Sequence, residues 1–259
     1  MTKNYQPIKV KRTFEIIVDL LKAKIFSGEY QIGDRLPTER ELSEMIEVSR
    51  NAVREAYHIL EVVGVVEVRR GTGGGTFICD SAHRPITQTI RNLILLRQIR
   101  LDDMMEARML LERDIASLAI ERATKEDIEK LEVCQEKALR KLKANIPAHS
   151  ENVDFHFCMA NIARNPIITM VYSSVMDLHL LLLQSIPADM EAAVKMAKAH
   201  QEIITLIKAG KKEALLAAMD RHNQGSNKTL TALSNNSKST LSDDKERGNA
   251  LEDILSSIS

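Results

Sequence analysis

The chain has 259 residues, 36 basic and 36 acidic side chains and a formal net charge of +0, so the length suits two domains and global charge lends no support to nucleic-acid binding. Aromatic residues make up 3% and tryptophan is absent, so the core is aliphatic, which favours helices over a β-sandwich. No run approaches ~18 apolar residues, the N-terminus lacks a signal-peptide core, and Cys79, Cys134 and Cys158 are too few and scattered for a disulfide framework; a reducing cytoplasm is expected.

Phe14, Ile17, Leu20, Leu21 and Ile25 recur at three- and four-residue steps and predict an amphipathic helix over 13–26. Ser27-Gly28 ends it. Thr38 is an N-cap with Glu41 as its capping-box partner, and the helix that follows is expected to turn Leu42, Met45 and Ile46 inward. Ser49 caps a third helix over 50–62, with Val53, Ala56, Tyr57 and Leu60 on one face. Residues 65–70 read as a strand, 71–76 as a glycine-rich hairpin tip, and Phe77-Ile78 as the return strand.

Three helices and a hairpin in this order are the layout of a winged helix-turn-helix. Its third helix leads with Ser49, Arg50 and Asn51, and Arg54 follows one turn later. The start of a recognition helix is where side chains reach base edges, and an arginine fork pairs bidentately with guanine. The Ser49 hydroxyl suits a phosphate. Arg69, Arg70 and Gly71 bring charge and a bare backbone to the wing tip. No Gly-Lys-Ser/Thr follows the glycines, so a nucleotide-binding P-loop is excluded.

Residues 80–85 form a polar run closed by Pro85, which reads as a linker. Beyond it the pattern is helical. One helix is expected to start near Pro147, another to run over 188–208, and a third over 211–233. They carry His156, His200 and His222 in turn. One imidazole from each of three helices makes a plausible divalent-metal site, although by spacing alone three scattered histidines are more often unrelated surface or core residues. Asn152 lies four residues before His156, on the same face. Arg108 and Glu112 are spaced for an i,i+4 ion pair. The methionines, Met176 included, read as core filling. The Ser-, Asn- and Lys-rich stretch from about Gln224 reads as largely disordered, with a short helical turn near 251–255.

Three motifs carry a family resemblance. The run 25–43 (Ile-Phe-Ser-Gly-Glu-Tyr through Glu-Leu-Ser), Val48-Ser-Arg-Asn-Ala-Val-Arg54 and Gly71-Thr-Gly-Gly-Gly-Thr-Phe77 closely resemble the DNA-binding domain of GntR-family bacterial transcription regulators. The resemblance implies DNA contacts from Arg40, Ser49, Arg50, Arg54, Arg70 and Gly71. Met105-Glu-Ala-Arg-Met-Leu-Leu-Glu112, Asp154-Phe-His156, Ala199-His-Gln-Glu-Ile-Ile204 and Ala218-Met-Asp-Arg-His222 resemble the all-helical FCD effector domain of the FadR subfamily. Metal-binding members of that domain use an Asp four residues before a His, plus two later His. Those positions are Asn152, His156, His200 and His222 here. Asn152 departs from the pattern: an amide oxygen is a weaker, uncharged ligand. Zn, Ni and Mn cannot be told apart by ligand type. The resemblance implies instead that Arg108 faces the pocket and receives a carboxylate effector; the intrahelical pair with Glu112 that spacing suggests is the alternative reading.

The expected fold is mainly α: an N-terminal winged helix-turn-helix (8–79), a linker (80–89), an all-helical effector-binding and dimerisation bundle (90–233) and a disordered tail (234–259). The expected protein is a cytoplasmic, homodimeric regulator, a repressor on the family pattern. Its partners are a palindromic double-stranded DNA operator and a small carboxylate, and it is not an enzyme. The alternative is a metal-dependent hydrolase using His156, His200 and His222, for which the sequence offers no convincingly spaced general base.

Overall fold

The computed structural model describes residues 11–79, 83–184 and 189–236. By internal packing the chain divides into two compact units at Pro85 and Ile86.

The first unit contains α1 (Thr13–Phe26), α2 (Glu39–Met45), α3 (Arg50–Val62), β1 (Val66–Arg69) and β2 (Gly75–Ile78). Local chemistry sets its boundaries. The Thr38 hydroxyl accepts from Glu41 N, and the Glu41 carboxylate accepts from Thr38 N, which closes the expected capping box on α2. Ser49 Oγ accepts from Ala52 N at 3.2 Å and starts α3. The core is Ile17, Val18, Leu21, Leu36, Leu42, Val53, Ala56, Tyr57, Leu60, Val66 and Ile78. Met45 does not join it: the side chain is 61% exposed. Leu42 and the C-cap Ile46, one turn apart, take the core-facing positions and leave Met45 outside. β1 and β2 pair antiparallel, with Val66 opposite Ile78 and Arg69 opposite Gly75. The return strand thus begins two residues earlier than the sequence pattern suggests. Gly71, at φ +94°, makes the tip turn that a side chain would strain.

The second unit is a helical bundle of α4 (Arg84–Leu95), α5 (Leu101–Arg122), α6 (Lys125–Lys143), α7 (His149–Ile162), α8 (Pro166–Gln184), α9 (Met190–Lys208) and α10 (Lys212–Asn236). α4 occupies much of the stretch expected to be linker. Pro85 is its second residue, where the missing N–H has no intrahelical role, so proline is tolerated rather than terminating. α7 begins at His149, two residues after Pro147. α10 continues to Asn236 and so replaces the disorder expected from Gln224; the remainder of the expected tail, from 237, lies outside the described residues. α5 packs on α7, α8 and α10, and α6 on α7 and α9. Ile115, Leu131, Phe155, Met159, Tyr172, Met176, Ile203 and Met219 fill the centre.

α8 is long and apolar enough to cross a membrane by length and composition. Within the bundle Tyr172, Ser174, Met176, Leu178 and His179 of this helix are buried, which accounts for that composition. Cys134 and Cys158, distant in sequence, are free thiols whose Sγ atoms lie 3.3 Å apart across α6 and α7. Burial pushes the Cys158 thiol up to about 12, so it stays protonated near neutral pH.

Candidate DNA-reading face and buried histidine cluster

In the first unit the predicted DNA-reading residues are exposed. Arg40 lies on α2 and pairs loosely with Glu44 at 3.8 Å. Arg50 and Asn51 open α3 and point to solvent. Arg54, one turn on, is held by the Glu39 carboxylate, with Nε at 3.0–3.1 Å and Nη2 at 2.7 Å. The sequence did not single out Glu39; a carboxylate opening α2 carries no mark of that pairing. Arg70 and Gly71 are exposed at the wing tip. Arg69 instead lies over the Phe77 ring at 4.3 Å and bonds Glu67, so it braces the wing.

In the second unit the predicted residues are buried. His156 on α7, His200 on α9 and His222 on α10 converge. His156 Nε2 lies 3.3 Å from His200 Nε2 and 3.1 Å from His222 Nε2. Phe155 stacks on His200 with ring centres 4.0 Å apart. Burial is the main force holding all three imidazoles neutral: His156 and His200 titrate well below the ordinary range and His222 at about 3. The Nδ1 atoms of all three rings and Asn152 Oδ1 are buried without a hydrogen-bond partner.

This donor set fits a divalent ion. Two nitrogens, each ~2.1 Å from one ion, lie about 3.0 Å apart at adjacent octahedral positions and about 3.4 Å apart at tetrahedral ones. The observed Nε2 separations fall in that interval. Three neutral imidazoles turned nitrogen to nitrogen satisfy one another poorly, whereas a cation uses all three lone pairs. Among the described residues His156, His200 and His222 are the group able to share one ion. Asn152, one turn before His156, lines a cavity together with His156.

That cavity, of roughly 70 Å³, is lined by Arg108, His149, Asn152, His156, His179, Ser226 and an apolar wall of Val153, Met176, Leu183 and Met196. At roughly 10–15 Å³ per water-sized group, it holds a compact ligand of a few heavy atoms. Arg108 makes the intrahelical ion pair and is also a lining residue of the cavity. Its Nε donates to Glu112 Oε1 at 2.8 Å, and its guanidinium lines the cavity. Nη1 donates to His179 Nε2 at 2.8 Å and to Ser226 Oγ at 3.0 Å. Arginine has no acceptor, so the facing His179 nitrogen is the bare one.

Sequence reasoning missed His179, Ser226, Tyr172 and Glu112 as site residues. His179 had one signal, a lone imidazole interrupting an apolar run. The Glu112 and Tyr172 partnership had none, because 60 residues separate them. Glu112 is a carboxylate near the histidines, with Oε1 3.4 Å from His156 Nδ1, on the side of the ring away from His200 and His222.

The fold joins a winged helix-turn-helix to an all-helical unit that holds a buried histidine cluster. The chain belongs to the GntR family of bacterial regulatory proteins, whose family pattern matches residues 13–78, and it carries an FCD domain over residues 103–225. It is 38% identical over 171 residues to the Uxu operon regulator of Haemophilus influenzae, covering 65% of this chain and 60% of that protein. It is 32% identical over 179 residues to the HTH-type transcriptional regulator YcbG of Bacillus subtilis, covering 68% and 71%. A solved Streptococcus agalactiae GntR structure aligns with 83% of this chain and 99% of its own, at 26% identity and a TM-score of 0.56. The chain thus spans about three-fifths of the first of these relatives. The relatives are regulators, so the hydrolase alternative has no support from them.

Proposed function

We propose that this chain is a ligand-responsive transcription regulator of the FadR type. On this reading it binds a palindromic operator as a homodimer in the cytoplasm, through Arg40, Ser49, Arg50, Asn51, Arg54, Arg70 and Gly71. The helical unit senses a small organic acid beside a divalent ion held by His156, His200 and His222, with Asn152 as a fourth, uncharged ligand. The ion would supply a positive charge that fixes the acid. Arg108 orients it. The single observation that carries the reading is the convergence of three buried Nε2 atoms beside the cavity that Arg108 lines.

Acid binding acts by population shift: it favours one placement of the DNA-binding units, and operator affinity changes by the acid's differential affinity for the two states. Loss of DNA binding on adding acid would make the protein a repressor that is relieved by its ligand.

The test is operator selection followed by gel shift against a panel of small mono- and dicarboxylates, with Zn²⁺ and with chelator. A metal-dependent shift in operator affinity with one acid supports the reading. Operator binding that no acid changes, in protein carrying no metal, refutes the sensing half and leaves the DNA-binding half standing.

A further inference from the structure

We infer that Glu112 is the positioning carboxylate for His156: it holds that ring in the tautomer that ligates, and it joins the histidine cluster to the cavity arginine. The inference rests on the metal reading above and names a residue that reading does not use.

Glu112 lies on α5, 1% exposed, four residues after Arg108. Its Oε1 sits 3.4 Å from His156 Nδ1. That nitrogen is on the opposite side of the ring from Nε2, which faces His200 and His222. Glu112 is also outside the group that can share one ion. It therefore stands behind a ligand and is not one itself.

Two buried atoms lack partners at this contact, Glu112 Oε2 and His156 Nδ1. One is an acceptor and the other becomes a donor as soon as Nε2 gives its lone pair to an ion. Glu112 Oε1, 3.4 Å away, is the nearest acceptor on this carboxylate, and a small turn of the imidazole gives Nδ1 that bond. The carboxylate is otherwise held firmly: Oε1 accepts from Arg108 Nε at 2.8 Å and from the Tyr172 hydroxyl at 2.6 Å. Charge balance for Arg108 alone would leave the buried His156 Nδ1 unexplained. An imidazole that donates Nδ1–H to a carboxylate keeps Nε2 bare and makes it a stronger donor to metal.

The contact also explains how two ligands communicate. An acid that takes the Arg108 guanidinium competes with Glu112 for it, and Glu112 then leans further on His156. Metal and acid affinities are thereby coupled, equally in both directions.

The experiment uses the full-length protein. The tautomer of His156 is read by ¹⁵N NMR without metal, and Zn²⁺ affinity by competition with a chelator, in wild type, Glu112→Gln and Glu112→Asp. Wild type is expected to carry the proton on Nδ1 of His156. Glu112→Gln, nearly isosteric, is expected to weaken Zn²⁺ binding about 10–100-fold. Glu112→Asp keeps the charge and withdraws the carboxylate by one methylene, so a loss there of similar size supports positioning rather than charge alone. Wild-type affinity in Glu112→Asp overturns the inference, and so does a proton on Nε2 of His156 in wild type. A wild-type protein that takes up no Zn²⁺ sinks the metal reading; the tautomer, measured without metal, then decides the inference by itself. If Glu112→Asp fails to fold, judged by its thermal melt, the wild-type tautomer still decides.

Discussion

The two units build their sites in opposite ways. In the winged unit Arg40, Asn51, Arg50, Arg54 and Arg70 are exposed, and the longest fixed partnership among them is Arg54 with Glu39, fifteen residues apart. In the helical unit Arg108, Glu112, Asn152, His156, His179, His200 and His222 are buried, and their contacts span up to 118 residues. One surface stays solvated until a polyanion arrives, so its ion pairs cost little to exchange. The other is desolvated in advance, so each member depends on the rest.

Removing a buried ligand should have the largest effect. His156→Ala is expected to reduce metal affinity by more than ~100-fold, and His156→Ala/His200→Ala to lose little more, because one loss already empties the site. Metal content and competition titration check this. Additive losses would show that the histidines act separately, like surface residues.

Acid should separate the units next. His156, His179, His200 and His222 are buried and held neutral, below the ordinary histidine value of about 6.5. The unfolded chain therefore binds protons that the folded chain refuses, and stability falls as pH drops below about 6.5. Each such histidine contributes about 1.4 kcal/mol of destabilisation per pH unit until its folded value is reached, at about 3 for His222. In the winged unit the described histidines are His58, which is exposed, and His83, which is half-buried. Hydrogen exchange at pH 7 and pH 5 should show the bundle amides losing protection while those of α1 and α3 change little. Equal losses in both units would break the comparison.

On the exposed side, Arg50→Ala is expected to cost about 1–3 kcal/mol of operator binding with an unchanged melting temperature. A folded Arg50→Ala protein with native operator affinity would remove the base-reading role. Asn152→Asp should tighten metal binding, since it adds a negative charge at nearly constant volume beside the cavity; weaker binding than wild type would exclude residue 152 from the ligand set. Arg70→Ala is expected to have the smallest effect, lowering the slope of log affinity against log salt by about one. An unaltered slope would make the wing tip purely structural.

The same contrast decides what was legible from sequence. The Thr38–Glu41 box, the Ser49 cap and the 50–62 helix rest on hydrogen bonds spanning three or four residues, and periodicity and cap chemistry read such bonds directly. Met45 defeated periodicity because Leu42 and Ile46, one turn apart, take the core-facing positions. Spacing could place His156, His200 and His222 on three helices, but it could not show that their Nε2 atoms meet. Only packing of α7, α9 and α10 does that. Pro85 reads as a breaker in isolation and proves to be a helix start. Glu112 was the hardest: as an i,i+4 partner of Arg108 it looks like an ordinary surface pair, yet it is buried behind a metal-ligand candidate.

The cavity wall has a bearing on how such a sensor changes over generations. Its polar anchors are locked to one another, so substitutions among them are penalised together. Val153, Met176, Leu183 and Met196 contribute shape without taking part in that network. Exchanges among aliphatic side chains of similar volume usually cost less than about 1.5 kcal/mol. On the proposed function, lineages can therefore drift from one small acid to another through these four positions while the charged scaffold is inherited intact. Libraries randomised there should yield altered acid preference far more often than libraries at Arg108 or Glu112.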